Sequence, residues 1–111
     1  MAQILIVEDE ANIRRVLRKI LVNVDNNINV SEAVDGVEAI TMVDEKSYDL
    51  VLCDIKMPKK DGIEVLAHIQ KVSPQSAVVM ISGHGDLETA VKAMRMGAVS
   101  YTHLRAHETI A

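Results

Sequence analysis

The stretches ILIVEDE (residues 4–10) and LVLCD (residues 50–54) decide the fold of this chain. Each is a short continuous apolar run that ends in acid, and such runs are typical of strands buried on both faces of a parallel sheet. The carboxyl ends of neighbouring parallel strands share one edge of the sheet, where ligands of open α/β folds bind. We therefore expect Glu8, Asp9 and Asp54 to gather at that edge.

Three carboxylates at one sheet edge repel one another unless a cation lies among them. Because the expected donors are all oxygens, they favour a hard ion such as Mg²⁺. The alternative interpretation is that each acid only caps the helix that follows it, a position at which Asp is favoured. The same ending on two separate runs favours the metal site over two independent caps.

Length and composition are those of one small globular domain. The chain has 111 residues, of which 49% are hydrophobic and 25% charged, and this suffices for a single buried core. A net charge of −4 and an aromatic content of 2% argue against direct nucleic-acid contact, which depends on basic patches and stacking. With one cysteine, no signal-peptide pattern and no membrane-length apolar run, we expect a cytoplasmic protein without an intrachain disulfide.

Short apolar runs alternate with segments of helical periodicity along the chain. Four successive strand–helix units predict a parallel sheet with right-handed crossovers and helices on both faces. A fifth strand should follow Gly97-Ala98, although residues 100–104 make a poor one. The predicted strands are residues 3–7, 28–34, 50–53 and 77–81; the helices after them carry the apolar sets Ile13, Val16, Leu17, Ile20 and Leu21; Val37, Ile40 and Val43; Ile63, Leu66 and Ile69; and Leu87, Ala90, Val91 and Met94, with Asp86 as the cap of the last.

Two further features of the sequence are a group of four cations in the first predicted helix and a single cysteine. Four cations fall away from the apolar face of the first helix and predict a solvated surface, or alternatively a docking face for an acidic partner. Cys53 lies inside an apolar run and is predicted to be a small core residue. The four cations are Arg14, Arg15, Arg18 and Lys19.

Three stretches resemble the receiver domain of bacterial two-component response regulators. "ILIVEDE" is similar to the first strand and acidic pair of that family, "DLVLCDIKMPKKDG" to its phosphoacceptor strand and loop, and "VVMISGHGDLETAVKAMRMGA" to its fourth strand and fourth helix. The resemblance covers residues 3–98 and is strongest to NtrC-type transcription activators. It implies an α/β, three-layer, flavodoxin-like (βα)5 doubly wound parallel sheet of strand order 2-1-3-4-5, with the receiver domain over residues 1–98.

The resemblance also implies roles for the acidic residues and their neighbours. Asp54 would accept a phosphoryl group from a histidine kinase. Asp9 would bind Mg²⁺ directly, Glu8 would act beside it through water, and the backbone carbonyl of Lys56 would complete the metal shell. The hydroxyl of Ser82 would hydrogen-bond the phosphoryl group. Such a domain is a phosphoacceptor signalling module and not an enzyme with its own substrate, since this chemistry needs mainly positioning and charge neutralisation.

Other residues are expected to act in switching and in tuning the lifetime of the acyl phosphate. Tyr101 occupies the aromatic switch position, and Ser82 and Tyr101 are the expected switch residues. Gly83 leaves space for the phosphodonor, while Lys56 and His84 flank the acceptor; the alternative for His84 is a solvent-facing loop residue. The implied partners are a histidine kinase and an output domain or partner protein at the face of helix 4 and strand 5. The resemblance is compatible with a homodimer and implies no membrane contact.

The last residues depart from the family pattern. Receivers carry Lys-Pro after the fifth strand, whereas this chain has Leu104-Arg105. Leucine at the position of the lysine can neither donate a hydrogen bond to a phosphoryl oxygen nor offset its charge. The usual fifth helix is also missing. "VSYTHLRAHET", residues 99–109, resembles one reading frame of a transposon-end adapter used in DNA library preparation. We expect residues 99–111 to be an artefactual tail, the alternative being a degenerate receiver; both predict weakened switching with Mg²⁺ binding retained.

Two rival functions are separated from the receiver by simple observations. An aspartyl-nucleophile phosphatase normally carries D-x-D after its first strand, where this chain has Glu8-Asp9-Glu10. A non-phosphorylated protein-interaction domain of the same fold would be favoured by failure to bind Mg²⁺. Slow, self-limited phosphorylation at Asp54 supports the receiver, and turnover of phosphoesters supports the phosphatase.

Overall fold

A computed structural model of the protein describes residues 2–24, 26–54, 62–82 and 100–103. Strands and helices alternate along these ranges, as the apolar periodicity predicts. The elements are β1 (Ala2–Val7), α1 (Ala11–Val24), β2 (Ile28–Ala33), α2 (Gly36–Glu45), β3 (Leu50–Asp54), α3 (Gly62–Val72), β4 (Ala77–Ser82) and β5 (Ser100–His103).

The five strands form one sheet in the order β2-β1-β3-β4-β5. Every neighbouring pair is parallel, which confirms the predicted α/β architecture and strand order. The first four strands begin and end within one residue of the predicted bounds. The segment that was expected to make a poor strand does pair with β4, with Tyr101 opposite Met80. The division into a receiver over residues 1–98 and a tail over residues 99–111 stays a prediction.

Apolar side chains fill both faces of the sheet, because successive residues of a strand point to opposite sides. Leu5 and Val7 of β1 lie in a large cluster beneath α2 and α3, which we name the α2–α3 cluster. Ile6 points to the other face and packs with Leu17 of α1 in a smaller cluster, the α1 cluster. The α2–α3 cluster also buries Ala33, Ala39, Val43, Tyr48, Val51, Cys53, Val65, Leu66, Ile69, Val78 and Met80, which confirms Cys53 as a core residue.

Some residues of the predicted apolar faces are exposed. Val16 and Ile20 of α1 retain 55% and 47% of their surface, and Val37 of α2 retains 46%. Leu17 of α1 and Val43 of α2, which belong to the same predicted faces, are buried. Only part of each predicted face is therefore covered. The predicted fourth helix lies outside the described residues. Among the described helices, none combines the length and apolarity that crossing a membrane would require.

The start of α2 is fixed by a reciprocal pair of hydrogen bonds. The amide of Glu38 donates to the Asp35 carboxylate at 2.8 Å, and the amide of Val34 donates to the Glu38 carboxylate at 3.2 Å. This arrangement satisfies amides that have no partner within the helix. It fixes the turn between β2 and α2 at the same sheet edge at which β1 and β3 end.

We expect the Val65→Ala variant to lose about 2 kcal/mol of unfolding free energy, because it removes two methyl groups and leaves a cavity. Val65 is 0% exposed within the α2–α3 cluster, whereas Val72 of the same helix is 44% exposed. Val72→Ala is therefore the matched control and should change stability by at most about 0.5 kcal/mol. Urea unfolding followed by circular dichroism measures both; equal losses would contradict the packing described here.

Candidate functional site

Glu8, Asp9 and Asp54 lie together at the carboxyl end of the central strands. β1 and β3 are parallel, with Val7 opposite Cys53, so the acids at the ends of the two strands share one edge of the sheet. One carboxylate oxygen from each acid lies within 4.8 Å of the other two. The structure thus brings together the three acids that the sequence analysis expects at this edge.

The three carboxylates differ in exposure, because the turn after β1 directs Glu8 inward. Glu8 is 4% exposed, Asp54 is half-buried and Asp9 is exposed. The amide of Glu8 donates to the carbonyl of Ala33 at 3.1 Å, which extends the β1–β2 ladder by one bond. The amide of Glu10 donates to the carboxylate of Glu8 at 3.2 Å. Glu8 is therefore the interior member of the group, and Asp9 is the member nearest to solvent.

Burial, followed by the negative charge of Asp54, raises the pKa of Glu8 to about 9. Hydrogen bonds with Asp54 and Asp9 act in the same direction, while the amide of Glu10 opposes the shift because it stabilises the charged form. Near neutral pH and without a cation, Glu8 therefore holds a proton. A divalent cation among the three oxygens would compete with that proton, since it stabilises the ionised carboxylate.

The donor set fits a hard divalent cation. Glu8, Asp9 and Asp54 can each supply one carboxylate oxygen to a common point, and Mg²⁺ is typically held by one or two carboxylates with water and substrate oxygens at its remaining positions. The thiol of Cys53 is not a competing soft ligand. It is buried in the α2–α3 cluster and bonds the backbone carbonyl of Asp54 at 3.4 Å.

The other predicted site residues are described only in part. Asp54 lies opposite Ile81 on β4, so Ser82, the next residue, ends β4 at the same edge of the sheet. Tyr101 lies on β5 opposite Met80. Lys56, Gly83, His84 and Leu104 lie outside the described residues.

Arg14 lies near the site and departs from the solvated helix face that the pattern of α1 predicts. Its side chain is only 16% exposed. Its guanidinium donates to the backbone carbonyl of Glu8 at 2.8 Å and to the carboxylate of Glu32 at 3.0 Å. The alternating β2 pattern, with Glu32 on the side that faces α1, was the sequence signal that could have revealed this pairing.

Comparisons with known proteins agree with this geometry. A family profile described as "Response regulator receiver domain" matches residues 4–103. Transcriptional regulatory protein ZraR of Klebsiella oxytoca is 37% identical over 98 residues, which cover 88% of this chain and 22% of that protein. Chemotaxis protein CheY of Listeria monocytogenes is 37% identical over 101 residues, which cover 91% of this chain and 84% of that protein.

A solved structure gives the same match in three dimensions. The receiver domain of NtrX from Brucella abortus superposes with a TM-score of 0.81 at 36% identity, covering 96% of this chain and 87% of that one. The match to ZraR covers a much smaller share of the relative, because the chain spans only 22% of that regulator's length. The similarity therefore concerns one domain of the longer regulators.

We expect the metal-free protein to lose stability as the pH rises toward 9. The folded state keeps the Glu8 proton up to about pH 9, whereas the unfolded chain releases it near the ordinary pKa of 4.5. The contribution of Glu8 is therefore fully present below pH 4.5 and disappears by about pH 9. Glu8→Gln removes this titration and should be more stable than wild type by about 3 kcal/mol near neutral pH.

Urea unfolding in EDTA across this pH range measures the effect. Glu45→Gln is the matched control, because Glu45 is an exposed carboxylate at the end of α2, and it should keep the wild-type pH dependence. An unchanged pH dependence in Glu8→Gln would contradict the assignment of the proton to Glu8.

Proposed function

Because this chain belongs to the response regulator receiver family, we propose that Asp54 accepts a phosphoryl group from a histidine kinase in a two-component phosphorelay. The observation that carries the proposal is the approach of the Glu8, Asp9 and Asp54 carboxylates to within 4.8 Å. It occurs at the sheet edge, in a chain whose residues 4–103 match the family profile. As a receiver domain, the chain is a phosphoacceptor signalling module.

The proposed reaction moves one phosphoryl group between two side chains. A carboxylate oxygen of Asp54 attacks the phosphorus of the kinase phosphohistidine, so that a P–O bond forms as the P–N bond breaks. The electron pair of the P–N bond stays with the imidazole, which takes up a proton. Asp54 then carries an acyl phosphate, and attack by water on the phosphorus later returns the carboxylate and releases inorganic phosphate. Half-burial of Asp54 leaves its carboxylate accessible to the donor.

Four groups are proposed to hold Mg²⁺, which when bound would neutralise charge on the carboxylates and on the incoming phosphoryl group. Asp9 and Asp54 would bind it directly, Glu8 through water, and Lys56 through its backbone carbonyl. The inward position of Glu8 and its raised pKa support this set, because a proton or a cation is needed there to balance the carboxylates.

The residues on and after β4 are proposed to sense the phosphoryl group. The Ser82 hydroxyl would donate a hydrogen bond to it, a role supported by the position of Ser82 one residue beyond the partner of Asp54. Tyr101, on the strand next to β4, would follow Ser82 as the switch residue. Lys56, Gly83 and His84 would set the lifetime of the acyl phosphate by controlling access to it. Leu104 stands where the family has lysine, so we expect weakened switching.

The proposed partners are the kinase and an output domain of the full-length protein. ZraR is named a transcriptional regulatory protein, and this chain matches 22% of it, which supports an output in transcription control of the NtrC type. The receiver would act through the face of the fourth helix and β5, as a monomer or homodimer, without touching nucleic acid itself.

The family supports a cytoplasmic location. We retain residues 1–98 as the receiver and residues 99–111 as the artefactual or degenerate tail.

The Asp54→Asn variant should accept no phosphoryl group. Wild-type protein incubated with acetyl phosphate and Mg²⁺ should gain the mass of one phosphoryl group, as an adduct that hydroxylamine removes. Asp44→Asn is the matched control, because Asp44 is an exposed carboxylate on α2 and should leave the adduct unchanged. Labelling of Asp54→Asn would contradict the proposal, and continuous release of phosphate from several phosphoesters would favour the phosphatase.

The Ser82→Ala variant should be phosphorylated by acetyl phosphate about tenfold more slowly, because a hydrogen-bond donor to the transferring group is lost. Ser82→Thr keeps the hydroxyl and should restore most of the rate. Ser47→Ala removes the hydroxyl of an exposed serine and serves as the control. A Ser82→Ala rate equal to that of the control would show that the hydroxyl does not contact the phosphoryl group.

A further inference from the structure

Arg14 connects the turn that carries the acidic site to two other elements of the fold. β1 ends at Val7, so the carbonyl of Glu8 lies beyond the strand. The guanidinium of Arg14 donates to that carbonyl through Nη1 at 2.8 Å. The amide of Arg14 also donates to the carbonyl of Glu10 at 3.1 Å. Both ends of the acidic turn are therefore bonded to the same residue of α1.

The direction of the Arg14 side chain is fixed by an ion pair with Glu32. Nε of Arg14 donates to one carboxylate oxygen of Glu32 at 3.0 Å, and Nε of Arg18 donates to the other at 2.7 Å. Arg18 also donates to the carbonyl of Val30 on β2 at 3.1 Å. We call Arg14, Glu32 and Arg18 the arginine–glutamate clamp. The hydrogen bond from Arg18 is the largest cause of a lowered pKa at Glu32, so the Glu32 carboxylate stays ionised at neutral pH.

We propose that Arg14 is a positioning residue for the acidic site, and that the arginine–glutamate clamp sets the affinity of that site for Mg²⁺. The proposal rests on the proposed function, since it concerns the same three carboxylates. Among the described contacts of Arg14, none involves the carboxylate of Glu8, Asp9 or Asp54. Arg14 acts through the backbone of Glu8, whose amide is bonded to Ala33 and whose carbonyl is bonded to Arg14.

Hydrogen bonds at both the amide and the carbonyl of Glu8 restrict the positions that the side chains of Glu8 and Asp9 can take. A ligand held by its supporting contacts binds a metal more tightly than one that must first be ordered, and loss of such supporting partners typically weakens metal binding 10- to 100-fold. Only a planar guanidinium can serve the Glu8 carbonyl and the Glu32 carboxylate at once in different directions. Lysine at position 14 would have a single donor group for the two acceptors.

The chain supplies a matched control for charge. Arg15 is the next residue of α1, carries the same charge and is exposed. Its described hydrogen bond runs to Asn12 at 3.1 Å, within α1 itself. Arg14→Gln and Arg15→Gln therefore change the net charge equally, but only the first removes a bond to the acidic turn.

The experiment titrates wild-type protein, Arg14→Gln, Arg14→Lys, Glu32→Gln and Arg15→Gln with Mg²⁺ and follows amide NMR shifts. Arg14→Gln should raise the Kd about tenfold, Arg14→Lys and Glu32→Gln should raise it less, and Arg15→Gln should leave it unchanged. A wild-type Kd in Arg14→Gln, or an equal rise in Arg15→Gln, would overturn the positioning role. If Arg14→Gln does not fold, a wild-type Kd in Glu32→Gln would overturn the positioning role in the same way.

A second measurement in EDTA separates this inference from the proposed function. The Glu10 amide is bonded to the Glu8 carboxylate at 3.2 Å, so its hydrogen exchange reports the order of the turn without metal. We expect exchange about tenfold faster in Arg14→Gln than in Arg15→Gln, and equal rates would overturn the positioning role. A wild-type chain that binds no Mg²⁺ but shows this difference would overturn the metal site, and with it the effect of the clamp on Mg²⁺ affinity, while it would support the role of Arg14 in ordering the acidic turn.

Discussion

The parallel pairing of β1 with β3 is the constraint on which the rest of this structure depends. With Val7 opposite Cys53, both strands end at the same level, so Glu8 and Asp54 meet whatever the surrounding helices do. A slip of one strand by one residue would turn the buried side chains of that strand to the opposite face of the sheet. Burial of Leu5 beneath α2 and α3 and of Ile6 beneath α1 therefore fixes the register, and with it the acidic site.

The buried position of Glu8 at this sheet edge has opposite effects on stability and on function. A carboxylate that is buried beside another carboxylate is unfavourable when charged, and the raised pKa of Glu8 reflects this. A neutral residue of the same shape would relieve the repulsion and would also remove the charge that attracts a divalent cation. Retention of an unfavourable acid at an interior position is typical of sites that act on a ligand, and it agrees with membership of the receiver family.

The cations of α1 divide into two groups with different physical roles. Arg15 and Lys19 are exposed and form the solvated face that the helical pattern predicts. Arg14 and Arg18 converge on Glu32 of β2, so they join α1 to the sheet and reach the turn that carries the acids. A helix, an edge strand and the acidic turn are thereby joined by one set of hydrogen bonds.

The amino-acid sequence by itself determined the strands and the acids at their ends, because alternation of apolar runs with helical periods depends on local pattern alone. The order of the strands in the sheet was implied only by the resemblance to the receiver family. The sequence also identified Glu8, Asp9 and Asp54 as neighbours, since parallel strands end at a common edge. Only the tertiary structure decided that Glu8 is buried and that Arg14 turns inward. Burial and direction at the margin of a helix depend on what packs there, and the partner of Arg14, Glu32, is 18 residues away in the chain.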